Sequence, residues 1–457
     1  MSRRFFGTDG VRGVANERLT PEFAFSLGQA VGLWLGEPIE GKRVVLGGDT
    51  RRSTPMLASA LEAGLCSAGT HVVDLGVVPT PTVSFVTRTG DFALGAIVSA
   101  SHNPAPDNGI KFVGHDGRKL DDEAEEQIES LLESPFERPT GGGVGSIVRS
   151  TEKIEDYLHY LEGILPERLD GWHIALDAAN GAAFELGPEI LKQLGATVTA
   201  TGVEPNGVNI NAEGGATKPD TICSLTVESG ASIGVAFDGD ADRAVFSDEK
   251  GRLLNGDRIM GIWAAHRKAR GALLPPKIVG TVMSNGGFEK HLCSEGIELL
   301  RAPVGDKYVA QQMAEAGALI GGEQSGHIIF PHRGPTGDGL ITMLELFRVL
   351  RSEDRPASSY FDAYEPWPQL LVNVGVGSTT GWKELMGEEL AAAEAVLAGR
   401  GRLVVRASGT QPMIRVMVEA DDAAVRDRVT DRLVEEMIDK LGGHVHGRVD
   451  LTYALGD

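Results

Sequence analysis

One pattern is written three times along this chain, and it constrains the fold more than any other feature. A buried apolar strand running into a Gly/Asn-rich loop recurs as Arg43-VVLGGDT-Arg51, His173-IALDAANG-Ala182 and Lys277-IVGTVMSNG-Gly287. Helix-like segments follow, such as TPMLASALEAGLCSAG after the first. A second strand returns as THVVDLGVVPTP from Thr70, ATVTATGVEPNG from Ala196 and IELLRAPVGDK from Ile297. A third returns as FALGAIVSASHNP from Phe92, ASIGVAFDGDADR from Ala231 and ALIGGEQSGH from Ala318. Strands that are apolar throughout, spaced by helices, indicate parallel sheets covered on both faces. The chain is therefore expected to fold as three similar α/β units with mainly parallel sheets around a central cleft.

The last quarter lacks the pattern. It offers strands in LLVNVGV, RLVVRASG and MIRVMVEA, then an amphipathic helix in DAAVRDRVTDRLVEEMIDKL, and reads as a small α+β domain. The Pro/Gly-rich stretch from Ser134 to Ile147, the turn at Lys250-Gly251 and the Glu365-PWPQ-Leu370 segment mark the joins. The expected units are residues 1–150, 151–252, 253–368 and 369–457. The length of 457 residues suits such a division at roughly 100–200 residues per domain.

Charge and cysteine usage narrow the function classes. A formal charge of −21 speaks against a nucleic-acid footprint or an anionic membrane surface. No apolar run approaches the ~18–20 residues of a membrane span, and MSRRFFGTDG lacks the apolar stretch of a secretory signal. Cys66, Cys223 and Cys293 are far apart and form no CxxC pair, so a reducing cytoplasm is the expected location. The 60 glycines imply many turns or close approaches of backbone to ligand.

Ligands of parallel α/β sheets bind outside the carboxyl ends of the strands, and there each third strand ends in a polar loop. The loops are Ser101-His102-Asn103-Pro104, Asp238-Gly-Asp240-Ala-Asp242-Arg243 and Gly322-Glu323-Gln324-Ser325-Gly326-His327. Three carboxylates on alternate residues offer hard oxygen ligands to one face, which suits Mg²⁺ better than zinc. A calcium EF-hand is excluded, because Arg243 stands where that loop needs glycine and the flanks VAF and AVF read as strands. No GxSxG elbow surrounds Ser101. If Ser101 carries a phosphoryl group, its charge of about −2 joins three carboxylates to make roughly −5. Lys111, Arg243 and Arg12 are the candidate counter-cations. In the last domain, Arg406, Ser408, Gly409, Thr410 and Arg415 form a plausible phosphate cradle.

Taken together, these motifs resemble those of the α-D-phosphohexomutases. FGTDGVRG, SASHNPAPDNGIKF, DGDADR, GGEQSGH and RASGTQPMIRV occur in that family's order and rough spacing, and the resemblance covers essentially the whole chain. TVMSNGGFEKHL and VGDKYV tie it to the family's glucosamine branch. The resemblance implies a phosphoserine at Ser101 and one Mg²⁺ per chain held by Ser101, Asp238, Asp240 and Asp242. It further implies sugar contacts from Glu323, Ser325, His327 and Arg243, and a hold on the non-reacting phosphate by Arg406, Ser408, Gly409, Thr410 and Arg415. Lys111, Arg12, His102 and His327 become candidates for proton transfer or charge stabilisation. The implied partners are a phosphorylated amino sugar and a sugar 1,6-bisphosphate intermediate, with a homodimer among the expectations. The alternatives are the family's glucose/mannose branch and a non-catalytic sugar-phosphate-binding protein. The chain departs from the family pattern in Gln411 of the phosphate loop, in Lys307 where Arg is common, and in Ala105-Pro106.

Overall fold

A computed structural model describes residues 4–7, 9–36, 42–408 and 412–455. Four sheets follow one another along the chain. The first holds β1 (Val11–Val14), β2 (Arg43–Gly48), β3 (His71–Val77), β4 (Leu94–Val98), β5 (Asp107–Gly114) and β6 (Ile147–Arg149), in the spatial order β1-β5-β4-β2-β3-β6. The second holds β7 (His173–Asp177), β8 (Thr197–Thr201), β9 (Ile233–Phe237), β10 (Ala244–Asp248) and β11 (Leu253–Leu254), in the order β11-β10-β9-β7-β8. The third holds β12 (Lys277–Thr281), β13 (Glu298–Ala302), β14 (Gly321–Gly322) and β15 (Ile328–Ile329), in the order β13-β12-β14-β15.

The triplication is present in space. In each sheet the first strand of the unit lies between the second and the third, all parallel. Beyond the sequence pattern, a fourth strand then turns back antiparallel beside the third: β5 on β4, β10 on β9 and β15 on β14. The three sheets are therefore mainly parallel, as expected, with antiparallel strands added at one side of each. Each candidate loop is the hairpin between the third strand and its antiparallel partner, so all three occupy one topological position. Leu253–Leu254 pairs with β10, so the second sheet reaches just past the expected join at 252.

One apolar cluster runs through all three units, from Val45 and Val83 through Tyr157, Ile174 and Phe237 to Trp263 and Phe347. Shared burial of this kind fixes the units against one another. The fourth sheet is antiparallel throughout: β16 (Gln369–Val376), β17 (Gly401–Ala407), β18 (Met413–Ala420) and β19 (Gly443–Asp450), in the order β17-β18-β16-β19. Val372, Val374, Ile414, Val416 and Val418 point one way, into a core shared with the helix Ala423–Leu441. The alternate residues Leu371 and Met417 point the other way and meet Met283 of the third unit. Arg402 donates to the carbonyls of Val282 and Ser284, and Gln369 to that of Met283 at 3.0 Å, seating the last domain on the third unit. No helix among the described residues is long and apolar enough to cross a membrane.

Candidate active site

The site begins where β4 ends. Ser101 is 3% exposed and adopts φ +50°, a left-handed conformation that costs a non-glycine residue energy unless its surroundings impose it. The surroundings are Arg51 and Asn211, which donate to the Ser101 carbonyl at 3.0 and 2.9 Å. Its own N–H donates to Ser99 Oγ at 3.0 Å, and Ser99 in turn donates to Asp49 at 2.6 Å. Held this way, Ser101 Oγ donates to Asp238 Oδ2 at 2.8 Å and lies 3.3 Å from His102 Nδ1. Gly239 permits the approach, since a Cβ there would come within 2.6 Å of the Ser101 carbonyl oxygen.

Asp238, Asp240 and Asp242 are all buried and each offers one oxygen to a common cluster within 4.8 Å. Burial and the two neighbouring carboxylates push Asp238 well above the ordinary carboxylate range. Burial opposes ionisation of Asp240 as well, but Lys111 at 2.8 Å and Thr80 at 2.6 Å hold its carboxyl below that range. Oδ1 of Asp240 and Oδ1 of Asp242 are buried without a hydrogen-bond partner. Orphaned buried carboxylate oxygens converging on one point, beside a buried hydroxyl, fit a hard divalent cation such as Mg²⁺.

A chain of alternating charges surrounds this cluster. Lys111 Nζ lies 3.8 Å from Asp9, Lys119 bridges Asp9 at 2.5 Å and Asp306 at 2.6 Å, and His327 stands 3.8 Å from Asp306 and 3.6 Å from Asp242. Burial works against the charge of Lys111, yet Asp240, Asp9 and Asp242 keep it protonated far above neutrality. His327 is likewise raised to about 9, because Asp242 and Asp306 outweigh its burial. Arg12 pairs with Asp9 and donates to Asn103 Oδ1 at 3.3 Å. Arg243 donates its backbone N–H to Asp238 at 3.2 Å.

In the third loop, Glu323 Oε1 accepts from Gly305 N at 2.9 Å, while Gln324 Oε1 and Ser325 Oγ are buried without a partner. On the last hairpin, Arg406 and Arg415 are register partners across β17 and β18, and Ser408 N donates to the Met413 carbonyl at 2.8 Å. Gly409, Thr410 and Gln411 lie outside the described residues. Hydrogen bonds and ion pairs thus join Ser101, His102, the three aspartates, Lys111, Arg12 and His327 into one network spanning the three units. Sequence reasoning missed Arg51, Asn211, Asp9, Lys119 and Asp306. Arg51 sits just after the first parallel strand, and that topological position was the available signal.

Four family signatures match the chain in order: phosphoglucomutase/phosphomannomutase alpha/beta/alpha domain I at residues 3–138, domain II at 155–251, domain III at 255–367 and the C-terminal domain at 371–436. The phosphoglucosamine mutase of Symbiobacterium thermophilum is 48% identical over 439 residues, covering 94% of this chain and 98% of that protein. A phosphoglucomutase/phosphomannomutase family protein from Burkholderia thailandensis superposes with a TM-score of 0.81 at 25% identity, over 97% of this chain and 99% of the other. The Aspergillus fumigatus N-acetylphosphoglucosamine mutase, solved with GlcNAc-6P and magnesium, shares the fold at a TM-score of 0.69 and 19% identity, with 96% of each chain covered.

Proposed function

The chain belongs to the phosphoglucomutase/phosphomannomutase family, the α-D-phosphohexomutases, and we propose that it interconverts glucosamine 6-phosphate and glucosamine 1-phosphate. The observation that carries this reading is Ser101 Oγ, buried and held 2.8 Å from Asp238 at the mouth of a three-carboxylate cluster. A serine so placed suits phosphoryl transfer, where the protein supplies in-line positioning and charge neutralisation.

The phosphoryl group leaves the Ser101 oxygen and bonds to the free hydroxyl oxygen of the sugar phosphate, whose proton passes to a base of the site. The resulting 1,6-bisphosphate turns over in the cleft and returns its other phosphoryl group to Ser101. Asp238, Asp240 and Asp242, with Ser101, would hold Mg²⁺, which when bound offsets the charge of the transferring group. Lys111, held protonated by Asp240 and Asp9, stabilises charge or donates a proton rather than abstracting one. Arg12 and His102 share that part in proton transfer or charge stabilisation, and Arg243 binds the substrate. Glu323, Ser325 and His327 take the sugar hydroxyls, with unpartnered Ser325 Oγ available to bond. Arg406, Ser408, Gly409, Thr410 and Arg415 hold the non-reacting phosphate, a role favoured by the buried, unpartnered Nε of Arg415. The four units then divide the labour at 1–150, 151–252, 253–368 and 369–457: phosphoserine, metal, sugar and phosphate.

The test joins intact mass and phosphopeptide mapping of the purified protein to kcat/KM for glucosamine, glucose and mannose 1-phosphates in one assay. Phosphate on Ser101 is expected, with turnover lost by orders of magnitude in Ser101→Ala. Exchanging an amino group for a hydroxyl keeps a hydrogen-bonding group, so the amino sugar should win by roughly ten- to two-hundredfold. Turnover surviving in Ser101→Ala sinks the mechanism, and equal use of a neutral sugar sinks the substrate assignment.

A further inference from the structure

The final strand carries a pair of side chains that phosphoryl transfer leaves unused. In β19, His444 and His446 flank Val445. His444 opposes Gly375 of β16, while the pairing shifts between Asn373 and Val374 and leaves His446 as an extra, bulged residue. Both rings consequently crowd over Gly375, with centroids 4.4 Å apart and planes tilted by 43°. A Cβ built on Gly375 would lie 2.5 Å from His446 Nε2 and 3.5 Å from His444 Cε1. The absent methyl group leaves a notch into which the His446 ring edge, with its Nε2, settles, and the His444 ring lies beside it. Both histidines are exposed, and neither ring hydrogen-bonds another described residue.

The spacing selects a ligand class. With metal–nitrogen bonds of about 2.0–2.1 Å, an imidazole centroid lies about 3.2 Å from the ion. With a nitrogen of each ring turned to one ion, centroids 4.4 Å apart would subtend a cis angle of roughly 90°, the tetragonal arrangement of Cu²⁺ or Ni²⁺, whereas a tetrahedral ion would need the rings about 5.2 Å apart. Imidazole nitrogens also differ in kind from the carboxylate oxygens of the Asp238 cluster, so the two places favour different cations. Gly375 shares its sheet face with Asn373, which is paired with Arg415. The notch therefore lies on the face that bears Arg406 and Arg415, one strand spacing, or about 5 Å, from Met413 of β18.

We propose that His444 and His446 chelate a divalent transition-metal ion of the Cu²⁺/Ni²⁺ class over Gly375, at a site independent of the carboxylate cluster. The exposed side of the notch leaves the remaining coordination positions to water.

The test titrates the full-length protein with Ni²⁺ by calorimetry in excess Mg²⁺, and records the electron paramagnetic resonance spectrum after one equivalent of Cu²⁺. The wild type should bind one more equivalent of Ni²⁺ than His446→Ala or His444→Asn, and its Cu²⁺ spectrum should show coupling to two nitrogens. Gly375→Ala keeps both ligands but fills the notch, and should lose the same equivalent. Mg²⁺-supported turnover, unchanged in all three variants, reports that they are folded. Equal Ni²⁺ stoichiometry in the wild type and His446→Ala overturns the site. Undiminished binding by Gly375→Ala overturns its placement over the glycine.

Discussion

All five N–H groups of Arg51 are committed: Nε to Asp49, Nη1 to the carbonyls of Pro104 and Asp107, and Nη2 to those of Ser101 and Asn103. The guanidinium is the template on which the Ser101 loop closes, and Asp49, 1% exposed, is the counter-charge that keeps it buried. Lysine retains the charge but cannot present a planar fork. Arg51→Lys should therefore release the loop, lowering kcat by about 10²-fold, since misplacement by an ångström has that effect. Loss of the fork should also destabilise the fold by about 1–3 kcal/mol, as when buried carbonyls are left without their donors. Steady-state kinetics and urea unfolding check both, and a kcat near wild type would show that the loop is held otherwise. The unpartnered Oδ1 atoms of Asp240 and Asp242 carry a second expectation. EDTA should depress turnover by more than about 10²-fold and Mg²⁺ should restore it; turnover indifferent to EDTA assigns these oxygens another purpose.

Among the elements, the helix Thr54–Ser67 holds a buried acid with no structural partner for Oε1: Glu62, 6% exposed, facing Asp74 and Arg149. Burial, reinforced by Asp74, raises it to about 7 against the partial relief of Arg149. An unfolded glutamate titrates near ~4.3, so the folded protein binds the proton more tightly. The contribution to stability is complete below that unfolded value and is lost as pH rises through about 7. Glu62→Gln should stabilise the protein at pH 8 by roughly 1–2 kcal/mol, discounted for water reaching the carboxyl beside exposed Arg149, and change little at pH 4. Urea unfolding at the two pH values decides it; an identical effect at both means the carboxyl is not desolvated. The parallel strands were legible because burial on both faces makes them continuous apolar runs, as in VVLGG and IGVAF. Of the antiparallel partners only β10 was, through its AVF run: DNGIKFVG opens on turn residues, β15 is two residues long, and HVHGRVD is an exposed edge without alternation. The same division holds at the site. Ser101 and the three aspartates stand at the ends of repeated strands, where topology announces them. Arg51, whose only mark is its place after the first repeated strand, and Asn211 act on backbone carbonyls, while Lys119 and Asp306 act on charges far away in sequence, as Asp9 does toward Lys111 and Lys119.

Over the whole molecule, a net charge of −21 must coexist with an anionic substrate. The two are reconciled by local placement, since solvent screening acts over about 8 Å and the cleft concentrates its own cations. Lys119 is the cation that joins units: bridged to Val113 of β5 in the first unit, it touches Asp9 at 2.5 Å and reaches Asp306 of the third at 2.6 Å. Asp306 in turn faces His327 at 3.8 Å, and His327 faces Asp242 at 3.6 Å in the second unit. Charge on one wall of the cleft is thereby tied to the orientation of the other two. Removing either partner alone strands a charge: Asp306→Asn leaves Lys119 and His327 with one carboxylate fewer, and Lys119→Met leaves Asp9 and Asp306 facing each other. Removing both relieves the first imbalance in part. The double variant should therefore be less impaired than the two singles combined, with a coupling energy of about 0.5–3 kcal/mol in kcat/KM. Each single variant should lose turnover by roughly tenfold or more, a loss of about 1.4 kcal/mol in transition-state stabilisation. The partial exposure of both side chains, 27% and 20%, makes the coupling sensitive to salt, and it should shrink between 0.05 and 0.5 M NaCl as the Debye length falls from above to below roughly 8 Å. Kinetics of the four proteins at both salt concentrations measure this directly. Strictly additive losses would mean that Lys119 and Asp306 merely meet at the rim of the cleft, and that the first and third units are registered by their shared apolar core alone.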